Sequence, residues 1–263
     1  MRAQLHTTLA LLAAALLIAG CAAASGPGTP TSLPTPAPTA PPASRGTTPS
    51  AIAAPGDVER AVTATARAVV AAEMATLIGG ASEVFREPFD DNRNAWFTGV
   101  FQEIETNTIE DGVFKVRWAG KGSSYELYEL RAVTNFSAAV DCQIHQGDLD
   151  GSCGLVFAQT RDAGFYKFEL FKNYYRLYRV SPAGEPLLLV EGDPTGDIRP
   201  DAMNRLQVLR QGAAIYLALN DAPLTRVDDT ALAGGKVGLA TDSYAPDGGV
   251  EVWLDNFVIW ELP

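Results

Sequence analysis

From Glu83 to Leu262 the chain repeats in steps of two, and no helix-length periodicity interrupts it. Side chains alternate between the faces of a strand but return every 3.6 residues on a helix, so this period constrains the fold more than any other feature. Val113-Phe114-Lys115-Val116-Arg117-Trp118 alternates cleanly, and so does Phe136 to Ile144. Ile215 to Leu219 runs into Asn220-Asp221, a pair that tolerates positive φ and suits a tight hairpin. Gly234-Gly235 precedes another short run, and Val250 to Trp260 closes the series. Many short strands separated by regular turn signals predict an all-β, two-sheet antiparallel sandwich over residues 83–263.

The segments before it differ in kind. Residues 57–80 read as a short α-helix: Asp57 is a capping candidate, acids lie in the first turn, and Gly79-Gly80 suits a stop. Val58, Val62, Val69, Ala72 and Leu77 form a loose apolar stripe, while Arg67 and Glu73 argue against a membrane span. Docking on the domain is the preferred role, with self-association or a free-standing spacer as the alternatives. Residues 21–56 are rich in Pro, Thr, Ser and Ala, a composition that cannot bury enough surface to fold and reads as a disordered stalk. Residues 1–20 have a basic start at Arg2, an apolar run from Leu9 to Ile18 and small residues before Cys21. That is the pattern of a secretory signal. With the cysteine directly after Ala19-Gly20, the segment resembles a bacterial lipobox, which implies cleavage before Cys21 and lipidation of Cys21. The expectation is an extracytoplasmic lipoprotein held at a bacterial cell envelope through its acyl chains.

Charge and cysteine usage agree with that compartment. The net charge is −11, from 20 basic and 31 acidic residues, which disfavours nucleic acid and polybasic docking on anionic lipid. Beyond Cys21 only Cys142 and Cys153 remain, on either side of the polar stretch His145 to Gly151. Disulfides persist outside the cytoplasm. The stretch suggests a hairpin placing both cysteines on neighbouring strands, so a bridge is expected; two free buried thiols are the alternative. The spacing matches no zinc pattern.

Phe89-Asp90-Asp91 followed by Trp96, Gly154 to Phe157, Gly164 to Phe168, Asn204 to Val208, Leu217 to Asp221, Gly235 to Leu239 and Leu254 to Phe257 follow one another in a telling order. In that order they resemble the concanavalin A-like/laminin G-like jelly rolls and the related 3-keto-disaccharide hydrolase-type domain. The resemblance implies a sandwich whose relatives bind glycans or proteins and in some cases hydrolyse glycans. It also implies a possible structural calcium near the paired ends of the domain, with Asp90 and Asp255 as the matching acids; turn hydrogen bonds are the other role for these two.

No catalytic set is assigned. Glycoside hydrolysis needs two converging carboxylates. The Glu-x-Asp-x-x-Glu strand motif of laminarinase-type enzymes is absent, and Glu126 and Glu129, three apart on a strand, face opposite sides. There is no Gly-x-Ser-x-Gly elbow and no phosphate loop. Aromatic residues crowd Phe165 to Tyr178. Tyr174, Arg176 and Tyr178 share one strand face, and Tyr175, Leu177 and Arg179 the other; either could point outward. The first set would suit sugar stacking and hydrogen bonding, so Tyr174, Arg176 and Tyr178 are the expected ligand contacts. Trp96, Trp118, Trp253 and Trp260 are expected in the core. The leading expectation is a non-catalytic module recognising extracellular carbohydrate. A 3-keto-disaccharide-type glycoside hydrolase and a structural or protein-binding envelope module are the alternatives.

Overall fold

The computed structural model describes residues 55–263 apart from 148, 149 and 195, with side chains from residue 63 onward. The proposed signal peptide, Cys21 and nearly all of the stalk lie outside the described residues. The chain divides into Met1–Val58 and Glu59–Pro263, and all packing below belongs to the second unit.

Helix α1 spans Pro55–Ile78. It begins two residues before the expected Asp57 cap, because proline is well suited to the first helical position. Met74 of α1 is buried with Leu209, Tyr216, Ala218 and Leu262, and Val70 and Leu77 pack against the same cluster. Arg67 Nη2 reaches Asp197 at 2.5 Å, and Arg226 reaches Glu73 at 3.1 Å. The helix therefore docks on the domain, but not through the expected stripe: Val69 is 54% exposed and Ala72 is exposed, and of that stripe only Leu77 packs, beside Val70 and Met74. Val58 and Val62 lie outside the described side chains. No described helix is long and apolar enough to cross a membrane.

Among the described residues fifteen strands follow, in two antiparallel sheets. The larger sheet contains β1 (Ser82–Glu87), β2 (Gly99–Phe101), β3 (Glu105–Glu110), β4 (Val113–Trp118), β6 (Phe136–Gln146), β11 (Asn204–Gln211), β12 (Ala214–Leu219), β13 (Ala222–Asp228) and β15 (Val250–Glu261). Its order is β13-β12-β11-β6-β15-β4-β3-β2, with β1 also on β15. Twelve-residue β15 carries β4 along Val250–Leu254 and β1 along Phe257–Glu261, with a register shift between Asp255 and Val258. The smaller sheet contains β5 (Gly122–Leu127), β7 (Gly151–Thr160), β8 (Gly164–Leu170), β9 (Tyr175–Val180), β10 (Pro186–Gly192) and β14 (Lys236–Ser243), in the order β10-β9-β8-β7-β14-β5.

The inner faces interdigitate in one core that includes Phe114, Phe136, Val140, Leu155, Phe168, Leu177, Leu217, Val252 and Phe257. Asn220 and Asp221 take φ of 51° and 66° and turn β12 into β13, as their identity predicted. Cys142 and Cys153 are bonded, with Cα atoms 6.3 Å apart. Their strands are not a hairpin, however: β6 belongs to the larger sheet and β7 to the smaller, so the bond joins the two layers. A polar turn looks the same in sequence whether the chain returns within one sheet or crosses to the other.

Trp96 and Trp118 are buried, but Trp253 and Trp260 are only half-buried. The core takes Val252 and Leu254 from β15, so alternation turns Trp253 outward, where its ring stacks on His145 at 3.6 Å.

Candidate functional site

The outward face of the smaller sheet carries the most concentrated chemistry. Tyr175 and Leu177 of β9 are buried in the core, which turns Arg176 and Tyr178 outward. The register sets Arg176 opposite Glu169 and Tyr178 opposite Lys167 of β8. On β14, Asp242 stands opposite Ser152 of β7 on one side and Ser123 of β5 on the other.

These residues form one network. Lys167 Nζ lies 2.6 Å from Asp242 Oδ1 and 2.8 Å from Glu169 Oε1. Ser152 Oγ donates to Asp242 Oδ2 at 2.8 Å, and Arg176 Nη2 donates to Glu169 Oε2 at 3.0 Å. The Glu169 and Asp242 side chains are 1% and 2% exposed, and Arg176 is 17% exposed. Ions so far from water persist only when paired and hydrogen-bonded. Burial on its own pulls the Lys167 ammonium down, but Asp242 and Glu169 outweigh it and hold it above its ordinary range. Burial pushes the Glu169 carboxyl up despite Lys167. Asp242 feels the same burial, yet Lys167 and its hydrogen bonds bring it below the ordinary value.

Above this floor, the Arg176 guanidinium lies 4.3 Å from the Phe171 ring centre, 4.9 Å from Tyr178, 5.5 Å from Tyr174 and 5.7 Å from Tyr244. Phe171 and Tyr174 stack in parallel at 4.2 Å. Such cation–π contacts strengthen as water is excluded. Arg176 Nη2 also approaches the Tyr244 hydroxyl at 3.3 Å. Burial is the main cause raising the pKa of Tyr174, Tyr178 and Tyr244. Tyr174, Arg176, Tyr178 and Tyr244 remain partly exposed. The arrangement offers flat apolar ring faces with fixed polar groups between them, over a rigid base.

The structure thus brings Tyr174, Arg176 and Tyr178 together on the outward face. Sequence reasoning missed Lys167, Glu169, Asp242 and Tyr244. The available signal was Lys167-x-Glu169 at strand spacing, facing the same side as Arg176.

Asp90 and Asp255 sit elsewhere. Asp90 is exposed at the Phe89 turn, and Asp255 accepts from the Asn256 backbone N–H at 2.6 Å. Burial raises Asp255 first, and Asp141, Asp90 and Glu87 add negative field. Among the described residues no group of three or more His, Cys, Asp or Glu is placed to hold a metal. The Phe89 to Trp96 motif is fixed by buried Glu87, which accepts from Phe89 N at 2.9 Å and Trp96 Nε1 at 2.8 Å. Glu126 is on β5 and lines a small cavity with Glu105, whereas Glu129 lies beyond the end of that strand and pairs with Lys236, so the two are not the strand pair expected.

No protein-family model matches this chain, and no curated protein matches it. Solved structures do. A Bacillus subtilis protein of unknown function with a galectin-like fold matches at TM-score 0.52 and 14% identity, covering 69% of this chain and 96% of its own. The laminarinase catalytic domain of Thermotoga maritima matches at TM-score 0.51 and 9% identity, covering 69% of this chain and 98% of its own. A carbohydrate-binding module of Bacillus subtilis is similar at TM-score 0.47 and 18% identity, over 61% of this chain and 92% of its own. At these identities the likeness is one of fold, a galectin-like jelly roll, and one fold hosts many functions.

Proposed function

We propose that the outward face of the smaller sheet binds extracellular carbohydrate without hydrolysing it, as part of a protein anchored to the envelope through Cys21. The observation that carries this reading is the Arg176 guanidinium held among four aromatic rings over a buried ionic floor. Ring faces suit the C–H faces of sugars, and the guanidinium and tyrosine hydroxyls suit sugar hydroxyls. Tyr174 and Tyr178 are both partly exposed on this face. Preorganised polar groups on a stiff base reduce the ordering cost of binding. The test is a glycan-array screen of the mature chain beside Tyr178→Ala and Arg176→Ala. Specific binding that falls about tenfold or more in each variant is expected, as for loss of an aromatic or arginine hot spot. Silence across neutral and acidic glycans, or binding indifferent to both variants, sinks the reading.

A hydrolase reading draws on one observation: two carboxylates, Glu169 and Asp242, stand on the same face around Lys167. Paired carboxylates are what glycoside hydrolysis needs. Against it, both carboxylates are buried and tied to a single ammonium, which leaves neither at a surface a glycosidic oxygen can reach. Release of reducing sugar by the wild type but not by Glu169→Gln would favour this second reading.

A further inference from the structure

Alternation breaks down inside the sandwich at the β3 and β5 end. Glu105 and Asn107 of β3 are 5% and 1% exposed, where the pattern calls for apolar side chains. Opposite them, β5 and β14 contribute Ser124, Glu126 and Thr241 to the same small cavity. Phe114, Val116, Leu239 and Leu254 complete most of its wall. The cavity measures about 10 Å³. That is roughly the space one water-sized sphere needs.

The polar lining supplies oxygen. Glu105 Oε1 accepts from Asn107 Nδ2 at 2.9 Å and from Ser124 Oγ at 2.9 Å, and Ser124 Oγ lies 3.3 Å from Thr241 Oγ1. These contacts fix the Asn107 amide with its nitrogen toward the carboxylate. Its Oδ1 is then buried with no hydrogen-bond partner. An orphaned amide oxygen at this depth is costly, and a cation would satisfy it.

We propose that this inter-sheet cavity is a site for one calcium ion, held by Glu105, Asn107, Ser124, Glu126 and Thr241. Two carboxylates balance a divalent charge, and neutral amide and hydroxyl oxygens are the hard ligands calcium prefers. With about 10 Å³ in it, the cavity leaves little space for retained waters beside an ion. Magnesium, which gives up its waters reluctantly, fits it poorly. The ion would tie β3 of one sheet to β5 and β14 of the other. It lies apart from the acids at Asp90 and Asp255.

The test uses the full mature chain stripped with EDTA. Bound metal is measured after dialysis against CaCl2, and thermal unfolding is followed in CaCl2, MgCl2 and NaCl of matched ionic strength. A single equivalent of calcium and a stabilisation by CaCl2 well beyond that by MgCl2 or NaCl are expected. Glu126→Gln should weaken calcium binding by about tenfold or more, the scale of losses at metal sites. Asn107→Asp keeps the shape, adds charge and should tighten it, which tests the site even if Glu126→Gln fails to fold. Asp90→Asn and Asp255→Asn should leave this equivalent in place. Absence of calcium uptake, equal responses to all three salts as for a water-filled cavity, uptake unchanged by Asn107→Asp, or loss of the ion in Asp255→Asn each overturns the proposal.

Discussion

Lys167 holds two buried carboxylates with one ammonium, and the face described above depends on it. Removing one partner of a buried ion pair leaves an uncompensated charge. Lys167→Met should therefore destabilise the domain by about 3–5 kcal/mol in chemical denaturation. A loss within the range of a surface substitution would mean that water reaches the network. Acid should act through Asp242. Its folded-state value is depressed, so its contribution is complete above the unfolded carboxylate value of about 4 and is lost as pH falls through the folded value. Glu169, raised by burial, works the other way and is relieved by protonation. Unfolding temperatures followed from about pH 7 to 2 should fall in the wild type and decline less steeply in Asp242→Asn. Equal slopes would show that Asp242 is not the charged partner of Lys167.

At the level of strands, period-two alternation announced most of the architecture. The run at Val113–Trp118 became β4 with those boundaries, and Ile215–Leu219 became β12, which starts one residue earlier at Ala214. Alternation was informative wherever one face is apolar and the other polar. It failed at β3 and β5, whose inner faces carry Glu105, Asn107, Ser124 and Glu126, because such strands read as wet on both sides. It also hid the Lys167, Glu169 and Asp242 floor, since buried strand charges look like solvated ones until their partners are known. Tyr174, Arg176 and Tyr178 were legible as a set because β9 sends Tyr175 and Leu177 to the core. The β6 to β7 turn gave away the disulfide but not the change of sheet. Replacing both Cys142 and Cys153 by Ala should cost about 2–5 kcal/mol in urea denaturation, the range for native bridges in secreted domains. An unchanged midpoint would mean that the apolar core alone holds the layers together.

For the molecule as a whole, the acidic balance leaves little basic surface for electrostatic attachment to anionic lipid. Attachment at the envelope would then rest on acylated Cys21. Cys21→Ser is expected to release the protein into the soluble fraction on cell fractionation, and persistent membrane association would refute a lipid anchor. Helix α1 docks beside β11 and β12, and β1 pairs with β15, all in the larger sheet, whereas Arg176 stands on the smaller. Tension between a tethered N-terminus and a captured polymer would load the seam between the sheets in shear and peel. The Cys142–Cys153 bond crosses that seam, so it acts as a rivet. Single-molecule pulling should find a lower rupture force in reducing buffer, even where the resting fold is unchanged.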